Sequence, residues 1–165
     1  RPTRGERLVI AWAMIRGLGA IFVEGTFVIF NTYIEDHASI WPTGLWVAWG
    51  KVDARYVTSD PYVTTMEATT ALFLGPALLL YAWAAYTRRR FRHIAGIGLS
   101  SCLLALVVCF VGTEVHAGFS NTAKVASPAA FWLGWVPVAV GRFAVPLLVL
   151  SFNVRHIYRR VAVAE

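Results

Sequence analysis

The sequence predicts an all-α integral membrane protein, a four-transmembrane-helix bundle with a structured outer loop between helices 1 and 2. Three observations carry this prediction. Hydrophobic residues make up 58% of the 165-residue chain and charged residues only 15%, with a mean hydropathy of +0.59. An average soluble domain is roughly 45–50% apolar and about 25% charged. Four apolar stretches are each long enough to cross a hydrocarbon core of about 30 Å, which takes roughly 20 helical residues. Basic residues cluster beside these stretches. Such a composition excludes a disordered chain and disfavours a soluble enzyme.

The spans are expected at residues 8–30, 62–86, 94–113 and 131–152, within a single domain covering 1–165. Backbone groups in lipid must bond within their own segment, so each span is a helix. Arg1, Arg4 and Arg7 precede the first span, Arg88, Arg89, Arg90 and Arg92 join the second to the third, and Arg155, Arg159 and Arg160 follow the fourth. In a four-span chain these three regions share one side, and the other side holds only Lys51, Arg55 and Lys124. The positive-inside rule then makes both termini cytoplasmic. The net charge of +6 and pI near 9.8 would otherwise raise nucleic acid as a partner. The placement of the charge assigns it to membrane topology instead, so no nucleic acid is expected. No signal-peptide pattern is visible.

The first outer loop, residues 31–61, is too long for a simple connection and holds Trp41, Trp46 and Trp49 with Pro42 and Gly44. It reads either as a cap over the bundle with a short interfacial helix or as an aromatic belt that only anchors the protein. Cys102 and Cys109 lie seven residues apart on one span. That is about 10 Å of rise, beyond the roughly 7 Å limit for a disulfide, so both are expected to be packing residues. Local bends are expected at Gly75-Pro76 and at Gly141 to Pro146, where proline lacks a helical donor.

Ionisable residues inside a span are costly and usually face the bundle interior or a cavity. Four stand out: Arg16 and Glu24 in the first span, Glu67 in the second and Arg142 in the fourth. Glu24 is six residues and Glu67 five residues from the outer end of its span. Both carboxyls therefore lie roughly 7–9 Å below the outer boundary. Thr70, at i+3 from Glu67, shares its face and can bond that carboxyl or a substrate. Glu114 closes the third span on the same side. Burial disfavours the charged form of a carboxyl, so one member of such a pair can act as acid and the other as base. The alternative is that the glutamates bond Arg or Thr side chains and fix helix packing. A metal site has little support, because His37, His93, His116 and His156 fall in loops or at helix ends without ligand spacing. No cofactor is expected. Gly and Ala on the spans permit a homodimer.

The order of certain segments resembles the emopamil-binding protein family, the membrane sterol Δ8–Δ7 isomerases, over residues 22–146. The pieces are Val23-Glu24-Gly25 with Phe27, Leu45-Trp46, Lys51-Val52-Asp53-Ala54-Arg55-Tyr56, Asp60, Met66-Glu67-Ala68-Thr69-Thr70-Ala71, Gly75-Pro76, Thr113-Glu114, Gly118-Phe119 and Phe131-Trp132. The Asp-x-Arg-Tyr stretch followed by Met-Glu and Gly-Pro is the most specific of these. The resemblance implies a four-span bundle in the endoplasmic reticulum membrane with a hydrophobic pocket open to lipid. It also implies chemistry that protonates a ring double bond, passes through a carbocation and removes a proton elsewhere. Glu67 and Glu24 would be the acid/base pair, Thr70 their hydrogen-bonding helper, and Asp53, Arg55 and Tyr56 the residues that brace or close the pocket.

This chain also departs from the family. Ala20 stands where the isomerases have His, and Ala139 and Arg142 where they have Asn and Trp. The apolar residues 103–107 replace a polar Gln-x-Tyr-Gly-Asp stretch. A guanidinium repels a carbocation, where an indole would stabilise it. Trp132 and Trp135, at i and i+3, are expected to take over that aromatic role. The leading expectation is an enzyme of acid–base carbocation chemistry on a sterol- or terpenoid-like substrate, with membrane lipid around it. One rival is a specialised relative that opens an epoxide, rearranges a prenyl group or closes a terpenoid ring, with Arg142 on a substrate oxygen. Another is a non-catalytic sterol- or lipid-binding protein.

Overall fold

A computed structural model describes residues 2–162 of the chain. Arg1, counted above among the basic residues, lies outside the described residues, as does the side chain of Arg160. Among the described residues four helices are long and apolar enough to cross a membrane: Arg4–Tyr33, Pro61–Tyr86, Arg92–His116 and Pro128–Arg159. Each outruns the apolar stretch that predicts it, and polar caps start the first, second and fourth early. Thr3 and Glu6 form a capping box, with the Glu6 carboxylate accepting the Thr3 N–H at 2.8 Å and the Thr3 hydroxyl accepting the Glu6 N–H at 3.2 Å. Asp60 caps the second span on the Val63 N–H at 2.9 Å, with Pro61 at the first helical position. Ser127 and Pro128 repeat that device on the fourth span.

Three spans contain a wide turn of π type, at Ala20–Glu24, Thr70–Leu74 and Phe131–Trp135. In each, the next N–H reaches back five residues, from Gly25 to Ala20, Gly75 to Thr70 and Val136 to Phe131. Pro76 and Pro137 follow two of these turns by the same offset. The widened turn absorbs the missing N–H and the ring of the proline. The irregularity expected near Pro146 is therefore found nearer the start of the fourth span. Pro146 itself sits inside the continuous helix Val136–Val161.

The first span packs on the second and the third on the fourth. Spans 1 and 2 approach closely at Gly17 and Gly75, where a Cβ on Gly75 would stand 2.9 Å from Ile21 Cγ1 and 3.1 Å from Ala20 Cβ. An inner core gathers Ala13, Leu78, Tyr81, Leu103 and Val149. Asn153 ties three spans there, donating to Tyr81 Oη at 2.9 Å and to the Val149 carbonyl at 2.8 Å, with its carbonyl 2.9 Å from His93 Nδ1. An outer core gathers Phe27, Trp46, Tyr56, Val63, Phe110 and Trp135. The helix Thr43–Gly50 of the long loop contributes Trp46 to it, with the indole donating to the Val23 carbonyl at 2.9 Å.

Large apolar side chains such as Ile15, Phe22, Ile29, Phe73 and Leu133 cover the outside of the spans, a surface suited to lipid and not to water. Cys102 and Cys109 belong to that outer surface as free, exposed thiols, which corrects the expectation that they pack inside. The close approach at Gly75 yields a stability prediction. Gly75→Leu should overpack the contact between the first two spans and cost about 1–3 kcal/mol. In a thermal melt of the purified protein this appears as a lower midpoint; an unchanged midpoint would contradict the packing described.

Candidate active site

Asp53 accepts the Arg55 N–H at 3.2 Å and starts the short turn Ala54–Tyr56. The same carboxylate holds the Arg55 guanidinium at 2.9 Å to Nε and 2.6 Å to Nη2. Arg55 Nη1 donates to the Phe110 carbonyl at 3.3 Å and to Thr113 Oγ1 at 3.0 Å, and Nε lies 3.7 Å from Glu114. Trp135 Nε1 donates to Asp53 Oδ2 at 3.3 Å. The carboxylate of Glu114 accepts the backbone N–H groups of Asn121 and Thr122 at 3.1 and 2.9 Å and the Asn121 amide at 2.8 Å. This buried network fastens the first outer loop to the third and fourth spans.

The network seats Tyr56. Its ring is fully buried and stacked on Trp46, with centroids 5.2 Å apart. Its hydroxyl donates to Glu67 Oε1 at 2.8 Å. Burial pushes the Tyr56 phenol well above its ordinary pKa, so it stays a donor throughout the accessible pH range. Glu67 is 1% exposed. Across from it, Arg142 Nη2 lies 3.9 Å from Glu67 Oε1. On the first span Arg16 Nη1 meets Glu24 Oε1 at 2.6 Å, and the other oxygen of Glu24 is buried without a hydrogen-bond partner.

A cavity of about 200 Å³ opens between the four spans, with Trp12, Arg16, Glu67, Thr70, Phe110 and Arg142 among its walls. Glu24 does not line it; its partner Arg16 does. Thr70 is a wall, and its hydroxyl donates to the Met66 carbonyl at 2.8 Å. Asp53, Arg55 and Glu114 lie in the outer network described above. Trp132 is 65% exposed, Trp135 is buried among Phe110, Phe119 and Phe131, and neither lines the cavity.

The aromatic walls are Trp12 and Phe110, which sequence reasoning did not single out. Each stands one helical turn from a charged residue that was singled out, Arg16 and Glu114, and that spacing was the available signal. Phe110 carries Arg55 at 4.3 Å and Arg142 at 5.7 Å from its ring centroid. Trp12 is the cavity aromatic left to face a cationic centre. The position of such a centre matters, since a unit positive charge about 5 Å from a guanidinium is repelled by about 3 kcal/mol at an effective dielectric constant of about 20.

Fold and site together define a membrane-embedded pocket in which acidic and basic side chains meet inside an apolar bundle. The family model described as EBP: EXPERA (EXPanded EBP superfamily) matches residues 41–151, more than half of the chain, and the chain belongs to that family. It is 27% identical over 154 residues to the 3-beta-hydroxysteroid-Delta(8),Delta(7)-isomerase of Mus musculus, covering 93% of this chain and 66% of that protein. It is 28% identical over 147 residues to an isomeliandiol synthase of Melia azedarach, covering 89% and 68%. To a protoglabretal synthase of Citrus sinensis it is 32% identical over 95 residues, covering 58% and 45%. The chain thus spans just under two thirds of the mouse relative.

The outer network yields a second prediction. Asp53→Ala strips the buried Arg55 of its main partner, and breaking such a pair costs about 3–5 kcal/mol. Denaturation of this variant should show that loss, whereas a loss below about 1 kcal/mol would mean that the network does not hold the loop.

Proposed function

We propose that this chain is a membrane-embedded isomerase that moves a proton within a sterol- or terpenoid-like substrate through a carbocation. Glu67 gives a proton to one carbon of a double bond and the neighbouring carbon becomes cationic. Glu24 then takes a proton from the carbon next to that centre, and the electron pair of the broken C–H bond forms the shifted double bond. Substrate and product are isomers; between turnovers Glu24 releases its proton to solvent and Glu67 takes one up, so no further reactant is consumed. Arg142 pairs with the carboxylate left on Glu67, and Tyr56 keeps its hydrogen bond to it. Arg16 lines the cavity and Glu24 does not, so the guanidinium swings aside as substrate enters. Thr70 contacts the substrate, Asp53, Arg55 and Glu114 hold the loop that carries Tyr56, and Trp12 faces the cation.

The observation that carries this reading is the placement of Glu67. It is a fully buried carboxyl that walls the cavity, with one oxygen already held by Tyr56. The names of the mouse, Melia and Citrus relatives support the substrate class. We assign the Arg-rich side to the cytoplasm, with both termini there, and the membrane to the endoplasmic reticulum.

Glu67→Gln should lower turnover by about 100-fold or more while leaving the thermal midpoint of the purified protein in place. Retained turnover in that variant would refute the mechanism. Tyr56→Phe removes one hydrogen bond to a charged group and should slow turnover by about 10- to 100-fold. A rate equal to wild type would show that the phenol does not act on Glu67.

A further inference from the structure

The two arginines of the cavity are used differently. Arg16 is held in a 2.6 Å ion pair with Glu24. Arg142 stands 3.9 Å from Glu67 Oε1, beyond hydrogen-bond reach, and that oxygen already takes the proton of Tyr56 at 2.8 Å. Arg142 also lies 5.7 Å from the centroid of the Phe110 ring, with the Tyr56 phenol nearby. A guanidinium carries five N–H donors in a rigid fork and keeps its charge at every accessible pH. The Arg142 side chain is 27% exposed and lines the cavity, so part of that fork is open to whatever occupies it. In a bilayer the available acceptors are a ligand or a trapped water.

We infer that Arg142 is a specificity-determining residue: it selects substrates that bring an acceptor oxygen, as hydroxyl, carbonyl or ether, to the reacting end, and it rejects ligands that bring a bare positive charge there. This rests on the cavity being the site of reaction. The layout gives such a substrate one orientation. Its oxygen faces Arg142 at the polar end beside Glu67 and Thr70, and any carbon that becomes cationic is kept toward Trp12. The cavity of about 200 Å³ equals the liquid volume of about seven waters, room for a small fused ring system.

The test uses two matched probes, N-methyldecahydroquinoline, a cation at neutral pH, and its N-oxide, neutral with an acceptor oxygen on the same nitrogen. Calorimetric binding to the purified full chain in maltoside micelles should favour the N-oxide by about tenfold or more. Arg142→Met removes both charge and fork from an unbranched side chain, and the ratio should fall to about one or reverse. Arg142→Lys keeps the charge without the fork; it should still exclude the amine but lose about tenfold in N-oxide affinity. The lysine variant decides the matter if the methionine variant does not fold. Tighter binding of the amine to wild type, an unchanged ratio in Arg142→Met, or binding of neither probe to folded protein overturns the inference. Because the readout is binding, it is independent of the turnover of Glu67→Gln, and the two readings can fail separately.

Discussion

A carboxyl group inside a bilayer has no water to solvate its charge, so it must be neutral or held by partners. That constraint organises the outer half of this bundle. Glu24 is met by Arg16 from two turns earlier on its own span. Glu67 is met by Tyr56, which lies on a loop and has to be brought down into the bundle. The means of doing so is the Asp53–Arg55 pair, bonded to the third span through Phe110 and Thr113 and to the fourth through Trp135. A buried ion pair contributes little net stability against an apolar alternative. Its value here is positional, since it fixes one phenol against one carboxyl.

The same cavity differs in kind from a purely apolar pocket. Arg16, Arg142 and Glu67 line it, and Glu24 stands behind Arg16 as its ion-pair partner. Here the open Arg142 and the buried Glu67 wall one small space, with Glu24 behind Arg16, an arrangement suited to moving a proton and holding an oxygen.

The spans were legible in the sequence because lipid demands long apolar runs, and the four intramembrane charges because each is costly without a purpose. The ends of the spans were less so: Thr3, Asp60 and Ser127 lie outside the apolar runs and lengthen the helices as caps. Side-chain facing failed where the helix is not α. Trp132 and Trp135 share a face at 3.6 residues per turn, but they lie inside the wide turn Phe131–Trp135, and one points to lipid while the other is buried. Thr70 begins another such turn and turns its hydroxyl to Met66. Pro76 marked one such turn in the sequence, whereas in the fourth span the bend was expected near Pro146 and the wide turn instead precedes Pro137; the turn Ala20–Glu24 has no proline after it. Tyr56 was legible as a brace only, because its contact with Glu67 depends on how the loop folds over the bundle.

The central claim is that a proton passes between protein and substrate within this cavity. Turnover of a Δ8-sterol by the purified chain in deuterated water tests it most directly. The account predicts a Δ7 product carrying one solvent deuterium at the carbon that gains hydrogen, because the carboxyls exchange with solvent between turnovers. A Δ7 product formed without deuterium would contradict it.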